Sequence, residues 1–377
     1  MPIYDRYLLQ LFVKVLLVCF FSITGLYVVI DACNNLDEFL NYGRRMGGVL
    51  PVLTDYYSAR VPWFFDQISG LLTLIASMFA VTWLRRTNEM TALQAAGISA
   101  IRITRPLLAA AVVVSLLAAA NREVVIPQVR DKLTRNAQNW LGEAGRPVEP
   151  VTDNRSGVLI SGRHVIAAEQ RIEQATCRLH RRLGSFGRKI EAENAYYRAA
   201  NAQHPAGYLL DGVDPDSIAG VPTAHLHGQP VIFSPLDTPW LEPDQCFLVS
   251  EIGFQQLAGG SQWRSLASTG ELVAGLRNPS LTYGLDTRVT VHSRVVQPLL
   301  DLSLLFLGLP LVLTRENRNL FVAAGWCLLI VIGFIMVVIA CRAMGSSGYL
   351  LSPVTAAWLP LLIFGPIATF VSQPIWE

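Results

Sequence analysis

The chain has 377 residues, 52% of them hydrophobic and 15% charged, with a mean hydropathy of +0.38. Soluble domains carry about 25% charged residues, and a net charge of +2 is too small to argue for nucleic acid as a partner. The charges leave several apolar runs of about 20 residues, enough to cross a hydrocarbon core of about 30 Å, so the composition is that of a polytopic membrane protein with a sizeable polar insert.

Residues 8–30 form the first such run, and its one charge, Lys14, reads as a lysine that snorkels to the interface. The run is too long for a signal-peptide core and no small-residue cleavage pattern follows, so it is expected to stay as the first span. A helical pattern continues over 31–40, with Leu36, Phe39 and Leu40 on one side, until Gly43, Gly47, Gly48 and Pro51 break it. The second span is expected over 61–84, with Pro62 in its first turn and Asp66 near that end. Next comes L-R-R-T-N-E-M-T-A-L-Q-A-A-G-I-S-A-I-R-I-T-R-P, residues 84–106. Glu89, Met90, Leu93 and Gly97 recur there at helical spacing, which predicts a short helix at about 85–98 with a small, mixed face. Held between two spans, such a helix is placed to dock on a soluble partner and pass force to the membrane. The third span, 103–126, is entered through Arg105-Pro106 and closed by Pro127.

A polar region of about 165 residues follows. It opens with a helix-like piece at 128–143 and turns, after Pro147 and Pro150, into short strand-like segments separated by turn residues. These lie at 157–161, 164–168, 175–179, 189–197, 208–212 and 230–233, a spacing that suggests an antiparallel sandwich, open barrel or jelly roll. Residues 270–277 read as a short helix leading back to the membrane. Cys177 and Cys246 share this insert, and a disulfide between them is open if the insert is exported. Three further spans are expected over 295–313, containing Asp301, then 320–341 and 350–371. The domains are therefore 1–127, 128–291 and 292–377. Arg85, Arg86, Arg102 and Arg105 flank one short loop and Arg315 and Arg318 another. Both loops are expected in the cytoplasm, with both termini there and the insert outside. Arg44, Arg45, Arg122, Arg130 and Lys132 would then be external, which the rule tolerates beside a long exported domain.

The sequence contains no Walker A motif, no H-E-x-x-H and no G-x-S-x-G. His225-Leu-His227 could set two imidazoles on one strand face, without a further ligand set, and a plain loop or strand is the simpler reading. No catalytic constellation stands out. Asp66 and Asp301 are carboxylates inside expected spans, where a charge is costly and marks function by default. A paired or interfacial aspartate competes there with a substrate or proton role.

Taken together, three spans, a β-rich exported domain and three spans resemble the LptF/LptG permeases of the lipopolysaccharide export transporter. The resemblance is carried by Asn88-Glu-Met-Thr-Ala-Leu-Gln-Ala-Ala-Gly-Ile-Ser99, Arg105-Pro106 and Asn121-Arg-Glu-Val-Val-Ile-Pro127. These are similar to the family's E-x-x-A-L-x-x-x-G-I-S, R-P and N-E-x-x-x-P. His292-Ser-Arg294 with Pro298 is similar to H-x-R-x-x-x-P, and the strand text Ala195-Tyr-Tyr and Gly207-Tyr-Leu-Leu-Asp-Gly to the family's β-jelly-roll domain.

The resemblance implies a non-catalytic permease subunit in the bacterial inner membrane, with a periplasmic jelly-roll domain. Two permeases, an LptF and an LptG counterpart or a pair of one kind, would sit on two copies of a separate LptB-like ATPase, which binds the ATP and Mg. The helix between the second and third spans would enter a groove of the ATPase, with Glu89 the coupling carboxylate and Met90, Leu93 and Gly97 shaping the contact. Lipopolysaccharide would enter between the first span of one permease and the fifth of the other. It would then rise to the jelly roll and pass to an LptC-like periplasmic bridge. Arg44, Arg45, Arg122 and Arg294 are the candidate cations for its phosphates, by expected depth alone, with solvated or headgroup arginines as the plain alternative. The sequence departs from the family pattern at the proline-rich stretch 201–238, which reads as an insertion or irregular loop, and at Arg44-Arg45, which align with no family lysine. Two other readings compete: a membrane-anchored scaffold whose β-domain binds a partner, and an intramembrane enzyme using Asp66 and Asp301.

Overall fold

The computed structural model describes residues 3–140, 145–166, 169–201, 204–226, 228–281, 283–313 and 320–373. They fall into two compact units, Met1–Val129 with Gly284–Glu377, and Arg130–Tyr283.

The first unit is helical. Helices α1 (Ile3–Asn34), α2 (Leu36–Met46), α3 (Val49–Arg86), α4 (Glu89–Ala95) and α5 (Ala100–Ala120) follow one another. A π-helical turn, Asn121–Val125, then runs into α6 (Ile126–Leu133). Among the described residues five helices are long and apolar enough to cross a membrane, and they match five of the six expected spans. The fourth expected span is α10 (Leu285–Leu313), a 29-residue helix outside that set. Its stretch 296–313 holds a single charge, Asp301. Arg315 and Arg318, used above to orient the chain, lie outside the described residues.

Two prolines expected at helix boundaries lie inside α3. Pro51 is its third residue, a position whose N–H has no intrahelical partner anyway. Pro62 stands well inside the helix rather than in a first turn. The reversal from α2 to α3 relies on glycine: Gly47 and Gly48 have φ of +79° and +148°. At Gly43 a Cβ would come within 2.8 Å of Val49 Cγ2.

Two apolar clusters hold the bundle. One gathers Leu8 and Phe12 of α1, Ala80 and Leu84 of α3, Met90 of α4 and Ile103 and Leu107 of α5. The other packs Leu300 and Leu304 of α10 against Val331 and Phe334 of α11 (Leu320–Ser347) and Ala368 of α12 (Pro353–Val371). Long rows on α1 and α11 stay uncovered, including Phe21, Leu26 and Val29, and Leu328, Ile332 and Met336.

The second unit is a wholly antiparallel sheet with short helices. Its strands are β1 (Arg146–Pro147), β2 (Val151–Asp153), β3 (Val158–Ser161), β4 (His164–Ile166), β5 (Arg171–Arg178), β6 (Lys189–Arg198), β7 (Gly207–Asp211), β8 (Ala224–Leu226), β9 (Gln229–Phe233) and β10 (Cys246–Val249). The order is β1-β4-β5-β6-β7-β10-β9-β8, with β3 also on β5 and β2 on β3. Ala175 and Cys177 of β5 alternate into the core with Ile190 and Ala192 of β6, and beyond Gln174 (φ +49°) the inward positions shift to Ile172 and Ala195. Residues 201–238 are not one irregular loop, since they hold β7, α7 (Pro215–Ile218), β8 and β9. Helices α8 (Phe254–Leu266) and α9 (Thr269–Arg277) close the unit. Residues 141–144 and 167–168, at the ends of the expected helix and second strand, lie outside the described residues.

Cys177 and Cys246 are free, buried thiols on β5 and β10. Burial pushes the Cys177 thiol up to about 12 and raises that of Cys246, which also feels Cys177.

Candidate functional site

The short helix after α3 is built by its ends. Asn88, at its N-cap, adopts φ +60°, a left-handed conformation that asparagine tolerates better than most residues. At the other end Gly97 (φ +79°) takes the left-handed turn that stops the helix. Ile98 N–H donates to Leu93 O at 3.0 Å and Gly97 N–H to Gln94 O at 3.0 Å, the paired bonds of a glycine-terminated helix. Met90, 4% exposed, is buried with Leu84 and Ile103, and Leu93 and Ile98 pack on the same cluster. Of the four residues expected at this site, Met90 and Leu93 thus face inward and anchor α4 to the spans. Glu89 is half-buried, within electrostatic range of Tyr4, and Gly97 is exposed. The outward face is made by Thr91, Ala92, Gln94, Ala95 and Ala96, a small-residue surface that allows close approach. The spacing put both residue sets on one helix but could not say which face the neighbouring spans would cover.

A second constellation lies where α5 passes into its π-helical turn. Three consecutive side chains reach neighbouring helices. Asn121 Nδ2 donates to Pro62 O at 2.8 Å. Arg122 Nε donates to both Asp66 oxygens at 2.9 and 3.1 Å, with Nη2 2.8 Å from Oδ1. Glu123 Oε1 is 4.0 Å from Arg294 Nη1 on α10. The extra residue of a π turn changes the angular spacing of side chains, and such turns recur at functional sites. Two motifs far apart in sequence, Asn121–Pro127 and His292–Arg294, are therefore neighbours through Glu123 and Arg294.

Two of the four candidate phosphate ligands thus have carboxylate partners within the helical unit. Arg122 is committed to Asp66, which is 9% exposed, and Arg294 faces Glu123. A carboxylate buried among membrane helices requires such a partner. Arg44 and Arg45, in the last turn of α2, are exposed. Asp301 accepts from Gln297 Nε2 at 3.0 Å and from Ser115 Oγ at 3.3 Å. Both expected intramembrane carboxylates are thus bound within the helical unit.

Among the described residues no group of three or more His, Cys, Asp or Glu is gathered as a metal would require. His225 Nδ1 sits 2.9 Å from Thr223 O, and His227 lies outside the described residues.

The model of the lipopolysaccharide export system permease LptF/LptG family matches residues 6–213 and 267–373. The chain belongs to the LptF/LptG family. It is a membrane-embedded permease subunit of lipopolysaccharide export, a transport component rather than a catalyst, and works within an export complex. No curated protein matches it. The unmatched internal stretch, 214–266, carries α7, β8, β9, β10 and α8 of this LptF/LptG permease and overlaps the proline-rich stretch noted above.

Proposed function

We propose that this LptF/LptG permease is driven by a separate LptB-like ATPase that binds ATP and Mg and docks on α4. The observation that carries the reading is the construction of α4: a seven-residue helix between two spans, pinned by Met90 and Leu93 and capped by Gly97, with a small-residue face left open. A push on that face is carried into α3 and α5 through the cluster that holds Met90. Glu89 is the coupling carboxylate of the contact, Met90 and Leu93 transmit the force, and Gly97 sets where the helix ends.

In this reading the chain lies in the bacterial inner membrane with both termini in the cytoplasm and the sheet unit in the periplasm. A second permease pairs with it, and the uncovered apolar rows of α1 and α11 support a lateral entrance for acyl chains between the two. Exposed Arg44 and Arg45 are the cations offered to lipid phosphates, since Arg122 and Arg294 already face carboxylates. The sheet unit receives the lipid and passes it to an LptC-like periplasmic bridge.

Glu89→Ala in the complete complex, reconstituted with lipopolysaccharide in vesicles, tests the assignment. ATP-driven lipid release is expected to fall at least tenfold with the permease pair intact. Full release by the variant would remove Glu89 from the coupling role.

A further inference from the structure

The sheet unit contains a groove of about 510 Å³, a size typical of small-ligand sites. It is lined wholly from within Arg130–Tyr283. Two glycines of α8 shape it. At Gly260 the backbone takes φ +47°, a conformation that favours glycine, and α8 kinks there. At Gly259 a Cβ would come within 2.5 Å of Trp263 Cβ, so the missing side chain makes room for the indole. Trp263 and the first turn of α8 therefore line the same groove.

Around that groove the hydrogen-bond donors outnumber their acceptors. Gln255 Oε1 accepts from Arg130 and Gln256 Oε1 from Gly253 N–H, so among the described residues both amide NH2 groups are left over. The first backbone N–H groups of α8 add to them, as at any helix start. Trp263 is 5% exposed, and its Nε1 is buried without a partner, a rare state for a buried donor. The charges, in contrast, are matched. Arg130 pairs with Glu271 at 2.7 Å, and Arg155 pairs with Glu251. Arg130 also lies over the Trp263 ring, 5.5 Å from its centroid.

Such a lining selects by charge. A phosphate would have to settle beside Glu251 and Glu271, and a cation beside Arg130. A neutral ring rich in hydroxyls meets neither obstacle. Its oxygens accept from the spare N–H groups, and its O–H groups donate to the carboxylates. Tyr197 also lines the groove and adds an apolar ring.

We propose that this groove binds a neutral sugar ring. Its α8 residues fall in 214–266, the stretch that the family model leaves unmatched, so the site is a feature of this chain beyond its family membership. The ligand chemistry stands without the transport reading above. Only the sugar's source rests on that reading, in which the ring belongs to the saccharide of lipopolysaccharide.

The test is calorimetric titration of the full-length permease, in its purified complex and without ATP, with the deacylated and dephosphorylated oligosaccharide of lipopolysaccharide. The wild type is expected to bind it saturably. Gln255→Met removes a spare NH2 group at an exposed position and should leave the unfolding midpoint unchanged. Trp263→Phe removes the unpartnered N–H and is read per folded permease. Each should weaken binding about fivefold, the loss of roughly one hydrogen bond. Equal binding by the wild type and both variants overturns the groove as the site. Binding of the phosphorylated oligosaccharide but not of the dephosphorylated one overturns the neutral class. A preference for a peptidoglycan disaccharide overturns the assignment to the transported lipid. Because no ATPase activity is read, a failure here leaves the coupling role of α4 standing.

Discussion

Arg122 and Asp66 are 56 residues apart in sequence yet form a two-oxygen guanidinium–carboxylate pair, the strong and directional form of such a contact. Removing one partner from a buried pair strands the other charge, at a cost of roughly 3–5 kcal/mol. Arg122→Met or Asp66→Leu alone should therefore lower the thermal unfolding midpoint of the purified permease, and the double variant should recover most of the loss. A double variant as unstable as the singles would mean that the pair is not the unit. In the sheet unit, Glu271 offers a pH-dependent counterpart. Burial raises its carboxyl, but hydrogen bonds from the Ser268 backbone N–H and from Arg130 outweigh that and hold it below its ordinary value of 4.5. Its ion pair with Arg130, at 2.7 Å, therefore stabilises fully above the ordinary range and is lost as pH falls through the lowered value. Protection of the α9 amides relative to the unfolded chain at the same pH should hold down to about pH 4.5 and fall below it.

At the scale of elements, much of the architecture was legible because it follows from local periodicity. Apolar runs of about 20 residues marked spans, and alternation in β5 and β6 marked a sheet. Helix α9 was legible too, and Ser268 supplies its start: the hydroxyl accepts from Glu271 N–H at 3.2 Å while Glu271 returns a bond to Ser268 N–H at 2.8 Å. Ser268→Ala should destabilise the sheet unit by about 1 kcal/mol, read by its unfolding midpoint. What periodicity could not supply is non-local. Pro62 reads as a helix start from its own neighbourhood, yet α3 continues through it. The π turn at Asn121 leaves no sequence signature apart from the motif it carries. The spacing placed Met90, Leu93 and Glu89 on one helix, but only the packing of Leu84 and Ile103 decides that Met90 is buried while Ala92 and Ala95 are exposed.

For the whole molecule, the account is of energy received at α4 and lipid moved elsewhere. The helical unit holds the docking helix and the Asn121–Arg122–Glu123 clasp, while the sheet unit is a separate antiparallel body with its own core. Family membership was readable from motifs at 88–99, 105–106 and 121–127, because those residues carry specific geometry: a capped short helix and a π-turn clasp. The direction of transport and the identity of the energy source follow from the proposal and are open to direct measurement. The most direct is the amount of ATPase retained on affinity-tagged permease purified from detergent, for the wild type and for Ala95→Arg. Ala95 is exposed on α4, so the variant should fold normally. The account predicts stoichiometric ATPase on the wild type and its loss from Ala95→Arg. A wild type that carries no ATPase, or an Ala95→Arg variant that retains it in full, would contradict the claim that α4 is where this permease receives its energy.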